Sequence, residues 1–197
     1  MSDKKGFLVI LSAPSGCGKT TILDRLLKRH PEWVRSVSVT TRPPRLGEKT
    51  GKDYDFVSLR EFQSLKKRGQ FLEWAQVFDH SYGTRKEGVE EGVKKGETVV
   101  LTVDVQGARS IRKALGRTVP FLSIFVLPPS LSVLRERLEK RSTDSPEEIE
   151  KRIQRAEDEI KVAQEYDGTV INHDLDQTVH EIEALIAEFE KKLERRK

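Results

Sequence analysis

The chain has 197 residues, 36% of them hydrophobic and 35% charged; this is enough to bury one substantial core, and no apolar run reaches the roughly 18 residues of a membrane span. Its one cysteine, Cys17, excludes an internal disulfide and a cysteine zinc cluster, and the start from Met1 to Lys5 lacks the apolar segment of a secretory signal, so a cytoplasmic protein is expected. A net charge of +4 suits anionic small molecules, whereas the interspersal of 36 basic with 32 acidic residues argues against nucleic acid, and no membrane partner is expected.

Phe7–Leu11 is apolar on both faces, as expected of a strand buried in a parallel sheet. The sequence Ala-Pro-Ser-Gly-Cys-Gly-Lys-Thr follows, from Ala13 to Thr20, and fits G-x-x-x-x-G-K-[ST] at every position but the first. Gly16 and Gly18 allow backbone N–H groups to turn inward on phosphate oxygens, and the next helix adds its positive N-terminal end. Lys19 would reach the β- and γ-phosphates and Thr20 would hold Mg²⁺. A flexible glycine turn is the plain alternative, and the Gly-Lys-Thr ending between strand and helix outweighs it. That helix carries Ile22, Leu23, Leu26 and Leu27 on one face and stops at Pro31.

Beyond it, residues 36–41 alternate like a half-exposed strand, and residues 42–56 form a loop dense in Pro, Gly and charge. A capping box, Ser58 with Glu61, opens a short helix that ends at Gly69. Phe71–Phe78 reads as a strand with Glu73 on the face of Ala75 and Val77, where an ion pair with an arginine is the plain alternative to a ligand-reading role. After His80–Thr84 comes a helix to about Lys95; Thr84 and Glu87 fit a capping box, so Thr84 is expected to cap it and could bind as well. Residues 97–105 make a second buried strand, on which Thr102 and Asp104 share a face, and a helix runs from Gly107 to Leu115. A third core strand covers Val119–Leu127. Ser130 caps the next helix, Ser145 opens another, Thr169–Asn172 is a short last strand, and an amphipathic helix starts at Asp176. Arg135, Arg137, Arg141, Arg152 and Arg155 crowd the helices between residues 131 and 160. With Glu136, Glu139 and Glu150 at hand, a salt-bridged surface is the plain alternative to closure over an anion.

Strands separated by helices around this loop, at 7–11, 98–105, 119–127 and 169–172, imply an α/β core with a parallel sheet. The expected division is a single domain with a core (1–34, 98–130 and 161–197), a mixed-sheet insertion at 35–97 and a helical lid at 131–160. A triphosphate site with a second binding module and an arginine lid is what phosphoryl transfer between two nucleotides requires. Arg42, Arg45, Tyr54 and Tyr82 suit a phosphate, and Glu73 suits a donor-rich ligand edge.

From about residue 6 to 190 the chain resembles guanylate kinases. The resemblance is carried by the loop at Ala13–Thr20, by Ser38–Glu48, by Gly51–Phe56, by Phe71–Ala75, by Tyr82–Thr84, by Asp104–Gly107 and by Arg137–Arg141. It implies an α/β P-loop NTPase fold with a parallel five-stranded sheet flanked by helices, and transfer of a phosphoryl group from ATP to GMP, and to dGMP with it, in the presence of Mg²⁺. It further implies that Ser38, Glu73, Thr84 and Asp104 surround guanine, and that Arg42, Arg45, Tyr54 and Tyr82 hold the GMP phosphate, with Glu48 and Gly83 in the same site. On the donor side it implies Ala13, Pro14, Ser15, Gly16, Cys17, Gly18, Lys19, Thr20 and Thr21 around the ATP phosphates and Asn172 near adenine. Arg137, Arg141 and Arg152 would close on those phosphates. Lys19, Arg42 and these three arginines are the expected catalytic set, and Thr20 is the expected metal ligand. The base assignment also follows from chemistry: guanine offers N1–H and N2–H₂ on one edge, which a carboxylate accepts, whereas adenine would set a lone pair against Glu73. Where the resemblance leads one to expect an acid two residues before Asp104, this chain has Thr102. A non-catalytic phosphopeptide-binding module of the same fold is the alternative function, and a monomer or homodimer is expected.

Overall fold

In a computed structural model of the chain, the residues described are 5–77, 79–116, 118–140 and 145–195. The first strand, β1 (Phe7–Ser12), is buried along its whole length, and α1 (Lys19–Arg29) buries Ile22, Leu23 and Leu26. Then follow β2 (Val34–Arg35), β3 (Ser38–Thr40), β4 (Asp55–Phe56), α2 (Leu59–Lys67), β5 (Phe71–Val77), β6 (His80–Arg85) and α3 (Lys86–Lys94). The remainder is β7 (Thr98–Val103), α4 (Val105–Leu115), β8 (Phe121–Leu127), α5 (Leu131–Glu139), α6 (Pro146–Lys161), β9 (Gly168–Ile171) and α7 (Leu175–Glu194). A five-stranded sheet has the order β2-β7-β1-β8-β9, and a four-stranded one the order β4-β3-β6-β5. Helices flank the first, as expected of a P-loop NTPase fold. Among the described residues no helix is long and apolar enough to cross a membrane.

Local chemistry sets most helix starts. Ser58 accepts from the Glu61 N–H at 3.2 Å, Ser130 from the Val133 N–H at 3.2 Å, and Ser145 forms a reciprocal box with Glu148 behind Pro146. The last helix is capped by Asp174, which accepts from the Gln177 N–H at 2.9 Å, so it begins just before the expected Asp176. One expectation fails around residue 84. Residues 80–85 are a strand, and α3 is capped at Arg85 with no side-chain bond, so Thr84 is not its cap. The end of the strand that was expected to reach Phe78 lies outside the described residues.

The chain divides into two compact units, residues 1–8, 32–101 and 106–120 in one, and residues 9–31, 102–105 and 121–197 in the other. The first contains the four-stranded sheet, with Val39, Phe62 and Leu65 at its core and Val57 and Phe71 packed against them. The second contains the phosphate loop, with Val105, Phe125 and Ala163 forming a buried cluster to which Leu127, Val162 and Tyr166 add.

Candidate functional site

In the first unit, strand register assembles a row of polar side chains. Ser38 of β3 lies opposite Thr84 of β6, which lies opposite Glu73 of β5; one row below, Thr40 faces Tyr82 and Tyr82 faces Ala75. Residues directly opposite on adjacent strands share a face, so Ser38, Thr84 and Glu73 point the same way. A bulge contributes: Phe71 pairs with Arg85 and Glu73 with Thr84, leaving Leu72 as an extra residue on β5 and re-aiming the strand from Glu73 onward. Glu73 is 7% exposed and Thr84 is fully buried, and the Thr84 hydroxyl donates to the Glu73 carboxylate at 2.7 Å. Gly83 serves packing: a Cβ there would lie 2.9 Å from the Phe71 ring.

The second cluster of this unit centres on Arg42. Its Nη2 donates to Glu48 at 2.8 Å, and the guanidinium lies 5.5 Å from the Tyr54 ring centre and 5.7 Å from that of Phe56. The other oxygen of Glu48 accepts from the Arg45 N–H at 2.7 Å, and the Tyr54 and Tyr82 rings meet edge to face at 6.0 Å. Burial opposes both charges, yet the Arg42–Glu48 bond prevails, raising the arginine above its usual range and holding the carboxyl below its own. Burial, seconded by Tyr82, pushes the Tyr54 phenol up. Arg45 is exposed.

In the second unit the phosphate loop is fixed from several sides. Gly16 and Gly18 take φ of +96° and +87°, conformations that other residues adopt only with strain. A Cβ on Gly16 would press at 3.0 Å on Leu134 and Leu138 of α5, and one on Gly18 would come within 3.2 Å of Asn172. The Cys17 N–H closes a turn onto the Pro14 carbonyl at 3.2 Å, and the buried Cys17 carbonyl accepts from Asn172 Nδ2 at 2.8 Å. Asn172 Oδ1 accepts from Thr178 at 3.1 Å, and its backbone carbonyl accepts from Arg137 at 3.1 Å. Both polar ends of the Asn172 side chain thus serve the protein. Arg152 donates to the Ser15 hydroxyl at 2.7 Å. Thr20 and Thr21, in the first turn of α1, are exposed. Arg141 lies outside the described residues.

Lys19 donates to the carbonyl of Ala13, across its own loop. Burial draws its ammonium below the usual lysine range, against the pull of Glu159 first and then of Cys17 and Asp104. Burial drives the Glu159 carboxyl up, against the hydrogen bond from Arg155 and the charge of Lys19. Asp104, expected beside guanine, belongs to this second unit, where Arg155 holds it at 2.9 Å. Among the arginines of α5 and α6 the salt-bridged alternative holds for Arg135, paired with Glu150 at 2.7 Å, whereas Arg137 and Arg152 turn to Asn172 and the loop. Glu159 has no sequence signal of its own; its i+4 spacing from Arg155 on a capped helix is the clue available.

Among the described residues no group of three or more His, Cys, Asp or Glu side chains could hold a metal ion. Mg²⁺ keeps most of its waters and takes few protein ligands beside substrate phosphates, and a hydroxyl is among the ligands it accepts. The exposed Thr20 hydroxyl suits one such position.

A family model described as guanylate kinase matches residues 5–189. A guanylate kinase from Wolbachia sp. subsp. Brugia malayi is 47% identical over 93% of this chain and 93% of its own length. One from Synechocystis sp. is 45% identical over 94% of this chain and 96% of its own. The crystal structure of guanylate kinase from Anaplasma phagocytophilum superposes with a TM-score of 0.77 at 34% identity, covering 94% of this chain and 87% of that one.

Proposed function

The chain belongs to the guanylate kinase family, and from that premise we propose how its residues divide the transfer of the γ-phosphoryl group of ATP to GMP, giving ADP and GDP. Residues 35–97 serve as the acceptor module, residues 131–160 as the lid, and the rest as the core. Ser38, Glu73 and Thr84 read guanine, with dGMP accepted through the same edge. Arg42, Arg45, Tyr54 and Tyr82 take the GMP phosphate. The nucleophile is a phosphate oxygen that is already anionic at neutral pH, so no general base is required; alignment and charge neutralisation are the protein's task. The loop N–H groups, Lys19, Arg137, Arg141 and Arg152 neutralise the donor phosphates, and Asn172 fixes the loop through Cys17. When bound, Mg²⁺ would supply charge neutralisation at the donor phosphates, held through Thr20. The enzyme is a cytoplasmic monomer or homodimer.

The observation that carries the choice of acceptor is the buried Glu73 in its 2.7 Å bond with Thr84. Adenine would leave that carboxylate facing a lone pair, and a buried mismatch of this kind discriminates by about a hundredfold or more. Release of ADP from ATP is therefore expected with GMP and dGMP, and at least about a hundredfold more slowly with AMP, CMP or UMP. Equal turnover with AMP would remove the assignment of Glu73.

A further inference from the structure

Thr40, the last residue of β3, is fully buried, and its polar atoms meet three separate stretches of chain. Its hydroxyl donates to the Ser81 carbonyl of β6 at 3.1 Å and accepts from the Arg42 N–H at 3.1 Å. Its carbonyl accepts from the Val57 N–H at 2.9 Å, just beyond β4. Each stretch carries a residue proposed for the acceptor phosphate: Ser81 precedes Tyr82, β4 and Val57 follow Tyr54, and the third is Arg42 itself. Thr41 reinforces the join, since its hydroxyl accepts from the Ser81 N–H at 2.9 Å and its own N–H donates to the Ser81 carbonyl at 3.0 Å. Past the end of β3, hydroxyls thus take over from the backbone ladder, and the chain turns out of the sheet with the Arg42 backbone still tied to it. So tied, the Arg42 guanidinium lies 5.5 Å from the Tyr54 ring centre, and that ring meets Tyr82 at 6.0 Å.

We propose that Thr40 is a positioning residue for the acceptor phosphate: its hydroxyl and carbonyl fix the stretches that carry Arg42, Tyr54 and Tyr82 relative to one another, so that the three side chains reach one anion together. A hydroxyl suits this role because it gives and takes a hydrogen bond at once, which no hydrocarbon side chain can do. Its removal leaves the Arg42 N–H without its acceptor and frees the arginine from the tyrosines. Ser38, Thr84 and Glu73 pair further along the same ladder and keep their register without it. The inference rests on the phosphate role proposed above for Arg42, Tyr54 and Tyr82.

Titration of the full chain with GMP and with guanosine, which carries the same base and no phosphate, tests it, with ADP binding as the check on folding. Thr40→Val should weaken GMP about tenfold and leave guanosine and ADP within about twofold. Thr40→Ser, which keeps the hydroxyl, should hold GMP within about threefold of the unaltered protein. Unchanged GMP affinity in Thr40→Val would overturn the proposal. So would equal losses for GMP and guanosine, which would make Thr40 a packing residue of the sheet, and so would a serine variant as weak as the valine one. Should valine unfold the chain, Thr40→Ala removes the hydroxyl without adding an apolar branch and carries the same readings. Arg42→Ala separates the two levels: if GMP keeps its full advantage over guanosine without that guanidinium, the phosphate role of Arg42 falls first, whatever Thr40 does.

Discussion

Glu48 accepts from the Arg42 side chain through one oxygen and from the Arg45 backbone through the other, so its charge is worth more folded than unfolded. Its carboxyl is held below the usual range, and a depressed folded value means stability that is present above the unfolded value and lost as pH falls through the folded one. Glu48→Gln should therefore lower the urea midpoint at pH 7, and its gap to the unaltered protein should close below about pH 4. A gap of the same size at both pH values would mean that the ion pair is not its source. At this scale the sequence was partly legible. The residue types at Arg42, Tyr54, Tyr82 and Glu73 announced an anion and a donor-rich edge, because few other side chains serve those ends. The cap reading of Thr84 is the one that fails, since a hydroxyl three residues before a glutamate has the form of a cap without being one here. Only the pairing of β5 with β6, a contact between distant residues, turns that hydroxyl to Glu73.

The same contrast recurs among the elements. Strands β1, β7 and β8 declared themselves by apolar runs, and the helix starts by serine caps, because in both cases the deciding contacts are near in sequence. Strand β6 did not. His80-Ser81-Tyr82-Gly83-Thr84-Arg85 has no apolar alternation and a glycine in its interior, and it is a strand because β3 and β5 pair with it on either side. Gly83 is the element's fixed point, since a Cβ would meet the Phe71 ring at 2.9 Å and the ring is itself packed on Phe62 with centroids 4.7 Å apart. Gly83→Ala is expected to cost about 1–3 kcal/mol by chemical denaturation and to weaken GMP, because the displaced β5 carries Glu73 with it. Pairing it with Phe71→Leu, which removes the obstructing ring edge, should return part of both. An alanine variant with the wild-type midpoint would show that the ring moves freely and that the glycine has no packing role.

For the whole molecule, the residues proposed for the two nucleotides fall in different compact units, Glu73 and Arg42 in one and the phosphate loop with Lys19 in the other. A ligand that binds only folded protein stabilises it by RT ln(1 + [L]/Kd), about 2.7 kcal/mol at a hundredfold excess over Kd. The thermal midpoint should therefore rise with GMP and with ADP, and single substitutions should remove one increment at a time. Lys19→Ala should abolish the ADP increment and turnover while leaving the GMP increment, because the charge it deletes sits at the Ala13 carbonyl of the phosphate loop and not among the strands that carry Glu73. Glu73→Gln should do the reverse, forfeiting a charged acceptor worth about 1.5–3 kcal/mol to GMP and leaving ADP stabilisation intact. If either substitution erased both increments, the assignment of each nucleotide to its own set of residues would fail. If each erased its own, the loop that by itself announces only a bound phosphate would stand as the donor set, with the acceptor set written between Ser38 and Thr84 further along the chain.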